Sequence, residues 1–360
     1  MSGALEIGQV ALPIEELAAA LIDIPSVSGG EETLADAIEK ILTSSSHVEV
    51  VRYGNTVAAR TTLGRDFRVV WAGHLDTVPA HGNERARLES GLLFGRGSVD
   101  MKSGIAVALK LALEVPDPAV DVTWIFYDNE EVESDKNGLG LFGSAHPDWV
   151  VGDFAIVGEP SRGFIEGGCN GTLRVEVRST GKQAHSARSW MGTNAIHEAA
   201  EILRRLAEYS AEQVDVEGLT YREGLNAVGI LGGVAGNVIP DSCVVTVNYR
   251  FAPSKTVEMA LDHVKSVFEG FEVALVDQAP GARPGLTQPV VQEFVATLGV
   301  EVAPKFGWTD VARFGQWGIP AVNYGPGDPA LAHSDDEHVA VDQIRAVYQG
   351  MKAWLSPHKA

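Results

Sequence analysis

The sequence predicts an α/β catalytic domain with a mostly parallel sheet covered by helices, carrying an inserted α+β domain. Three observations predict it. Apolar runs rich in β-branched and aromatic residues, Phe67 to Ala72, Val122 to Tyr127 and Phe154 to Val157, occur with an Ala- and Leu-rich stretch, Ser103 to Leu113, between the first two. That alternation is the texture of a sheet buried on both faces. Each run leads into a polar cluster, His74-Leu75-Asp76, Asp128-Asn129-Glu130-Glu131 and Gly158-Glu159-Pro160, where ligands collect in open α/β sheets. From about Gly171 the pattern changes to alternating strands interleaved with helical stretches.

Taken in order, residues 14 to 23 and 31 to 42 show helical apolar spacing. The second opens on Glu31 and Glu32, acids that suit a helix N-terminus. After the three strands and their helix come strands at Thr172 to Arg178, Asn226 to Leu231 and Asp241 to Phe251, with helices at Thr193 to Ser210 and Lys255 to Phe268. The turn-rich segment Gln278 to Pro289 reads as a return linker, and a helix at Asp342 to Leu355 closes the chain. The expected division is therefore 1–170 with 284–360 as the catalytic domain and 171–283 as the insertion.

Composition narrows the function classes. The 360 residues carry 28 basic and 48 acidic side chains, a formal charge of −20, with a pI near 4.9. That balance argues against nonspecific binding to nucleic acid or an anionic membrane; an anionic substrate would need local positive charge. Two cysteines, Cys169 and Cys243, are too few for a disulfide framework and fit a reducing, cytoplasmic compartment. Met1 to Leu21 lacks a basic start followed by an uninterrupted apolar stretch, so no signal peptide is expected. No segment is apolar for membrane-spanning length.

The chemistry-bearing residues each admit a plain alternative. His74 and Asp76 suit a metal ligand and the carboxylate that orients its imidazole, or a solvated turn after a strand. Asp100, in a glycine-rich loop before a helix, reads as an N-cap or as a carboxylate bridging two cations. Glu130 and Glu131 point apart in extended backbone, so one could bind metal while the other moves protons; acidic pairs in loops are also ordinary surface. Glu159 before Pro160, and His333 after the Gly- and Pro-rich loop Gly325 to Pro329, have equally bland readings as a turn carboxylate and a surface histidine. Together, two histidines and three carboxylates suffice for two zinc ions with one shared ligand, and Glu130 is the spare acid.

Read jointly, these segments resemble the aminoacylase and carboxypeptidase-like family of two-zinc metallohydrolases over nearly the whole chain. The resemblance implies that His74, Asp100 and Glu159 bind one zinc and Asp100, Glu131 and His333 the other, with cobalt or manganese as substitutes. It implies Glu130 as general base and Asp76 as the orienter of His74. In the insertion, Gly181-Lys182-Gln183-Ala184-His185-Ser186 and Gly192-Thr193-Asn194-Ala195-Ile196 match family signatures. They imply a homodimer in which His185 reaches the partner's site to stabilise the oxyanion. Asn237 and Arg250 match substrate-contacting positions, Arg250 as a carboxylate-binding fork or, on its own segment, a salt bridge on a strand surface.

Asp128 to Leu141, Gly163 to Gly171 and Gly233 to Phe251 narrow the implied reaction, by the same resemblance, to hydrolysis of N-succinyl-LL-2,6-diaminopimelate to succinate and LL-2,6-diaminopimelate. The alternatives are deacylation of acetylornithine, a carboxypeptidase activity, or a catalytically dead metal-binding dimer. Two departures stand out. Cys169, followed by Asn170, stands where the family pattern expects an arginine just before the insertion's first strand, leaving Arg162, Arg188 or Arg313 as candidate replacements. Trp308 and Val311 stand where smaller or acidic residues are usual in the family, while Thr309 still fits a substrate contact.

Overall fold

The computed structural model describes residues 11–356; the first ten residues of the stretch read for a leader lie outside it. An eight-stranded mixed sheet forms the frame of the first unit. Its spatial order is Glu49–Tyr53, Thr56–Arg60, Asp121–Tyr127, Arg68–His74, Phe154–Val157, Ala321–Asn323, Ile165–Gly167 and Val302–Pro304. The four strands from Asp121–Tyr127 to Ala321–Asn323 are parallel. They are also the most apolar, because a parallel strand covered on both faces has no solvent side: every residue of Asp121–Tyr127 is buried.

Helix Lys102–Glu114 is buried from Lys102 through Ala112. It packs on Arg68–His74 and beneath the helices Ile14–Ile22 and Val341–Leu355, so it shows no polar face. The outer helices keep ordinary amphipathic spacing, with Ile14, Leu17, Ala18, Leu21 and Ile22 inward. Burial of side chains this size contributes roughly 1.5–3 kcal/mol each.

Register aligns the strand ends. His74 lies opposite Tyr127, Ala72 opposite Val157, and Val157 opposite Asn323. In chain order the parallel strands add first on one side of Arg68–His74 and then on the other. The order reverses between Arg68–His74 and Phe154–Val157, which opens a crevice at their carboxyl ends. Backbones converge there: a Cβ on Gly104 or Gly325 would lie 2.3 Å from the Gly158 carbonyl oxygen, so neither position has room for a side chain.

The second unit comprises residues 168–284 and 304–312. Its antiparallel sheet runs Gly224–Gly232, Ser242–Phe251, Gly171–Thr180 and Glu272–Ala279. The two central strands alternate buried and less buried residues under helices Ala195–Glu208 and Val257–Val267. The edge strands are largely exposed.

Two expectations are corrected. The segment 304–312 groups with this unit and not with the C-terminal part of the first, because the Asn170 amide donates to the Lys305 carbonyl at 3.2 Å and the Trp308 indole to Pro280 at 3.2 Å. The segment expected to be a linker from Gln278 begins inside strand Glu272–Ala279, an exposed edge strand whose short apolar run, Val273 to Val276, carries no buried/exposed alternation. Among the described residues, no helix is long and apolar enough to cross a membrane.

Candidate active site

The strand ends bring His74, Asp100, Glu131, Glu159 and His333 together. His74 ends its strand; Asp100 precedes helix Lys102–Glu114, whose N-cap is Met101 with no side-chain cap. The capping alternative for Asp100 therefore fails, and its carboxylate has another use. Oδ1 lies 2.9 Å from His74 Nε2, and Oδ2 lies 3.3 Å from His333 Nε2. Each oxygen of one carboxylate faces a different histidine. Glu131 Oε1 stands 2.7 Å from His333 Nε2, and Glu159 Oε1 stands 3.9 Å from His74 Nε2. The acids thus divide into one pair around each imidazole, with Asp100 common to both.

Burial grades across the cluster. The His74 side chain is 1% exposed and that of His333 is 46%, so the His333 end is the open one. His333 adopts φ +65° and Asn129, just before Glu130, φ +58°; non-glycine residues in the left-handed region are uncommon and gather at functional sites.

Hydrogen bonds to Asp100 and Glu131 raise the His333 pKa to about 10. Burial opposes charge on His74, but its contacts with Asp100 and Asp76 outweigh that and raise it well above the ordinary value. Burial likewise opposes charge on Asp100, yet both histidines hold it well below the usual carboxylate range. The acid cluster therefore draws positive charge to two points, one beside each imidazole.

The donor set fits divalent cations. His74 Nδ1 donates to the Asp76 carbonyl oxygen at 3.0 Å, which leaves Nε2, facing Asp100 and Glu159, as the atom that would bind a cation. Ligand atoms of His74, Asp100 and Glu131 lie within 4.8 Å of one another.

The Asp76 carboxylate is buried, and its contacts extend beyond His74. Oδ1 lies 3.5 Å from His74 Nδ1 and accepts the Glu130 amide at 2.9 Å; Oδ2 accepts the Glu131 amide at 3.0 Å and the Ser28 hydroxyl at 2.8 Å. Glu31 extends the same clamp, accepting the amides of Asn129 at 3.3 Å and Gly29 at 2.9 Å. Three successive amides of the Glu130 loop are thus held by two buried acids. From the sequence Glu31 reads only as a helix-end acid; the neighbouring Gly29-Gly30 is the signal that the chain folds back there.

In the second unit His185 is exposed. Its Nδ1 accepts the Ala187 amide at 3.0 Å, which leaves Nε2 as the outward N–H of the neutral ring. Asn237 is its neighbour: strand Ala184–His185 pairs with Val238–Ile239, and the Asn237 carbonyl accepts the Ser186 amide. Arg250 and Arg188 enter no ion pair among the described residues, which removes the salt-bridge alternative for Arg250. Arg162 pairs with Asp328 at 2.6 Å, and Arg313 donates to the Ser134 hydroxyl at 3.0 Å. Thr309 is 5% exposed, with its carbonyl facing the Cys169 thiol.

The pattern of peptidase family M20/M25/M40 matches residues 70–356. The chain belongs to that family. It is 54% identical over 343 residues to a Mycobacterium tuberculosis protein provisionally named succinyl-diaminopimelate desuccinylase, covering 94% of this chain and 97% of the relative. It is 47% identical to the succinyl-diaminopimelate desuccinylase of Corynebacterium glutamicum, covering 93% and 94%. A tripeptidase of Staphylococcus aureus shares the fold at a TM-score of 0.76, 18% identity and 98% coverage of each chain. So does a dinuclear metal-binding peptidase of Bacillus subtilis, at 0.72, 16% identity and 95% and 96% coverage. Membership makes this chain a metallohydrolase acting on amide bonds, as the resemblance in its sequence implied.

Proposed function

We propose that this enzyme hydrolyses N-succinyl-LL-2,6-diaminopimelate to succinate and LL-2,6-diaminopimelate, using two zinc ions and acting as a cytoplasmic homodimer. The observation that carries the chemistry is the Asp100 carboxylate split between His74 and His333. The names of the two relatives of 54% and 47% identity support the substrate.

His74, Asp100 and Glu159 would hold one ion and Asp100, Glu131 and His333 the other; the pair would supply Lewis acidity toward the scissile carbonyl and the attacking water. Glu130 takes the water's proton as the new C–O bond forms and delivers it to the nitrogen as the C–N bond breaks. Asp76 fixes Glu130 for this through the backbone amide. His185, donating from Nε2, stabilises the oxyanion across the dimer. Asn237 and Thr309 contact substrate, and Arg250 binds a substrate carboxylate. Arg250 is exposed on strand Ser242–Phe251, where its guanidinium can receive a bidentate anion, and such a cation is needed in a chain of formal charge −20.

The insertion, 171–283 in sequence terms, is read as the dimerising part. Edge strand Gly224–Gly232 leaves Val228 61%, Ile230 55% and Leu231 78% exposed, a row of unpaired backbone and apolar side chains that a second copy would cover. The cytoplasmic reading rests on two free, buried cysteines.

A substrate panel tests the proposal. Succinyl-diaminopimelate is expected to turn over faster than acetylornithine or di- and tripeptides, with activity lost to a chelator and restored by zinc. Faster hydrolysis of acetylornithine or of a peptide overturns the substrate, and activity indifferent to the chelator overturns the metal chemistry.

A further inference from the structure

The backbone that carries Asp100 is held from the far end of the chain. Glu337, four residues beyond His333, is 1% exposed, and the Gly95–Asp100 loop wraps around its carboxylate. Oε1 accepts the amides of Val99 at 2.9 Å and Asp100 at 3.2 Å, while Oε2 accepts Arg96 Nη1 at 2.7 Å. The Glu337 backbone takes part as well. Its carbonyl accepts the Gly95 amide at 3.1 Å, and its own amide donates to the Ser334 carbonyl at 3.3 Å, within the turn that follows His333. One residue therefore ties together the two loops whose side chains meet at Asp100 Oδ2 and His333 Nε2. An ion pair with Arg96 alone would not require the second oxygen to face the amide of the shared acid.

We infer that Glu337 is a positioning residue for the metal pair: its bonds to the Val99 and Asp100 amides set the Asp100 carboxylate between His74 and His333. It thereby governs affinity for the cation shared by Asp100, Glu131 and His333. The inference rests on the two-cation reading above. Groups that orient a metal ligand from behind are worth about 10- to 100-fold in metal affinity, and a carboxylate this well enclosed belongs at the upper end.

Removing Glu337 alone would strand the buried Arg96 charge, so the test removes both charges together. Arg96→Met/Glu337→Gln keeps an oxygen facing the two amides, whereas Arg96→Met/Glu337→Leu does not. Glu337→Asp, which keeps the charge but withdraws it by one methylene, is the milder variant should the leucine form fail to fold. Zinc affinities are measured by competition with a chelating indicator, and thermal melts in EDTA report on the metal-free fold.

The parent and the glutamine pair are expected to take up two ions with similar affinities. The leucine pair and Glu337→Asp should hold the second ion at least about 10-fold more weakly. Parent-like affinities in all variants, or an equal loss in the glutamine and leucine pairs, overturn the inference. A parent that takes up fewer than two ions overturns the two-cation reading itself, and this inference with it.

Discussion

Asp76→Asn perturbs the proposed general base without touching it. In the native protein both carboxylate oxygens of this wholly buried residue accept amides, Glu130 at 2.9 Å and Glu131 at 3.0 Å. Asparagine supplies one oxygen; whichever way it turns, an NH2 group then faces an N–H donor. Each hydrogen bond to a charged acceptor contributes about 1.5–3 kcal/mol, and burial leaves no water to replace it. If the loss of one bond falls entirely on the placement of Glu130 in the transition state, kcat drops by about 10- to 150-fold. Steady-state kinetics on succinyl-diaminopimelate, with zinc content and Tm measured on the same samples, provide the assay. KM should stay within about threefold of the parent, since the bound substrate's own contacts are unchanged. A fully zinc-loaded Asp76→Asn enzyme with kcat within about twofold of the parent would refute the clamp.

Glu130→Ala should retain its zinc, because Glu130 is not among the ligands, while losing about 10²- to 10⁴-fold in kcat; metal analysis beside kinetics checks both halves. Mixing equal amounts of inactive Glu130→Ala and His185→Ala subunits should restore about a quarter of parent activity, as half the dimers then hold one complete site of two; absence of recovery would confine His185 to its own subunit or remove it from catalysis. Burial pushes the Cys169 thiol up to about 11 and also raises Cys243. Both should resist iodoacetamide at pH 8 in the native protein and react on denaturation, as mass spectrometry would show. For Cys169 the folded state keeps its proton above the point where the unfolded thiol, at 9.0, releases it. Its contribution to stability is therefore present below about pH 9 and lost as pH rises toward about 11, measurable as a falling Tm in that window.

Features that depend on neighbouring residues were legible in the chain alone. Apolar runs at Val122 to Tyr127 and Phe154 to Val157 marked central parallel strands because burial on both faces leaves no polar alternation. The polar residues after them marked the carboxyl ends of those strands. The resemblance carried by the joint set, from His74 to His333, agrees with the family match over residues 70–356.

Features that depend on strand order and register emerge only on folding. No local pattern says that the two Asp100 oxygens face different histidines, one of them 233 positions away. Nor does any say that Asp76 holds the Glu130 and Glu131 amides, or that residues 304–312 join the second unit. Glu31 read as a helix-end acid and nothing in the sequence singled out Glu337, yet both are buried. A carboxylate's local surroundings in the chain do not reveal burial; the backbone amides and guanidinium that make burial tolerable come from distant segments, and only folding brings them within hydrogen-bond reach.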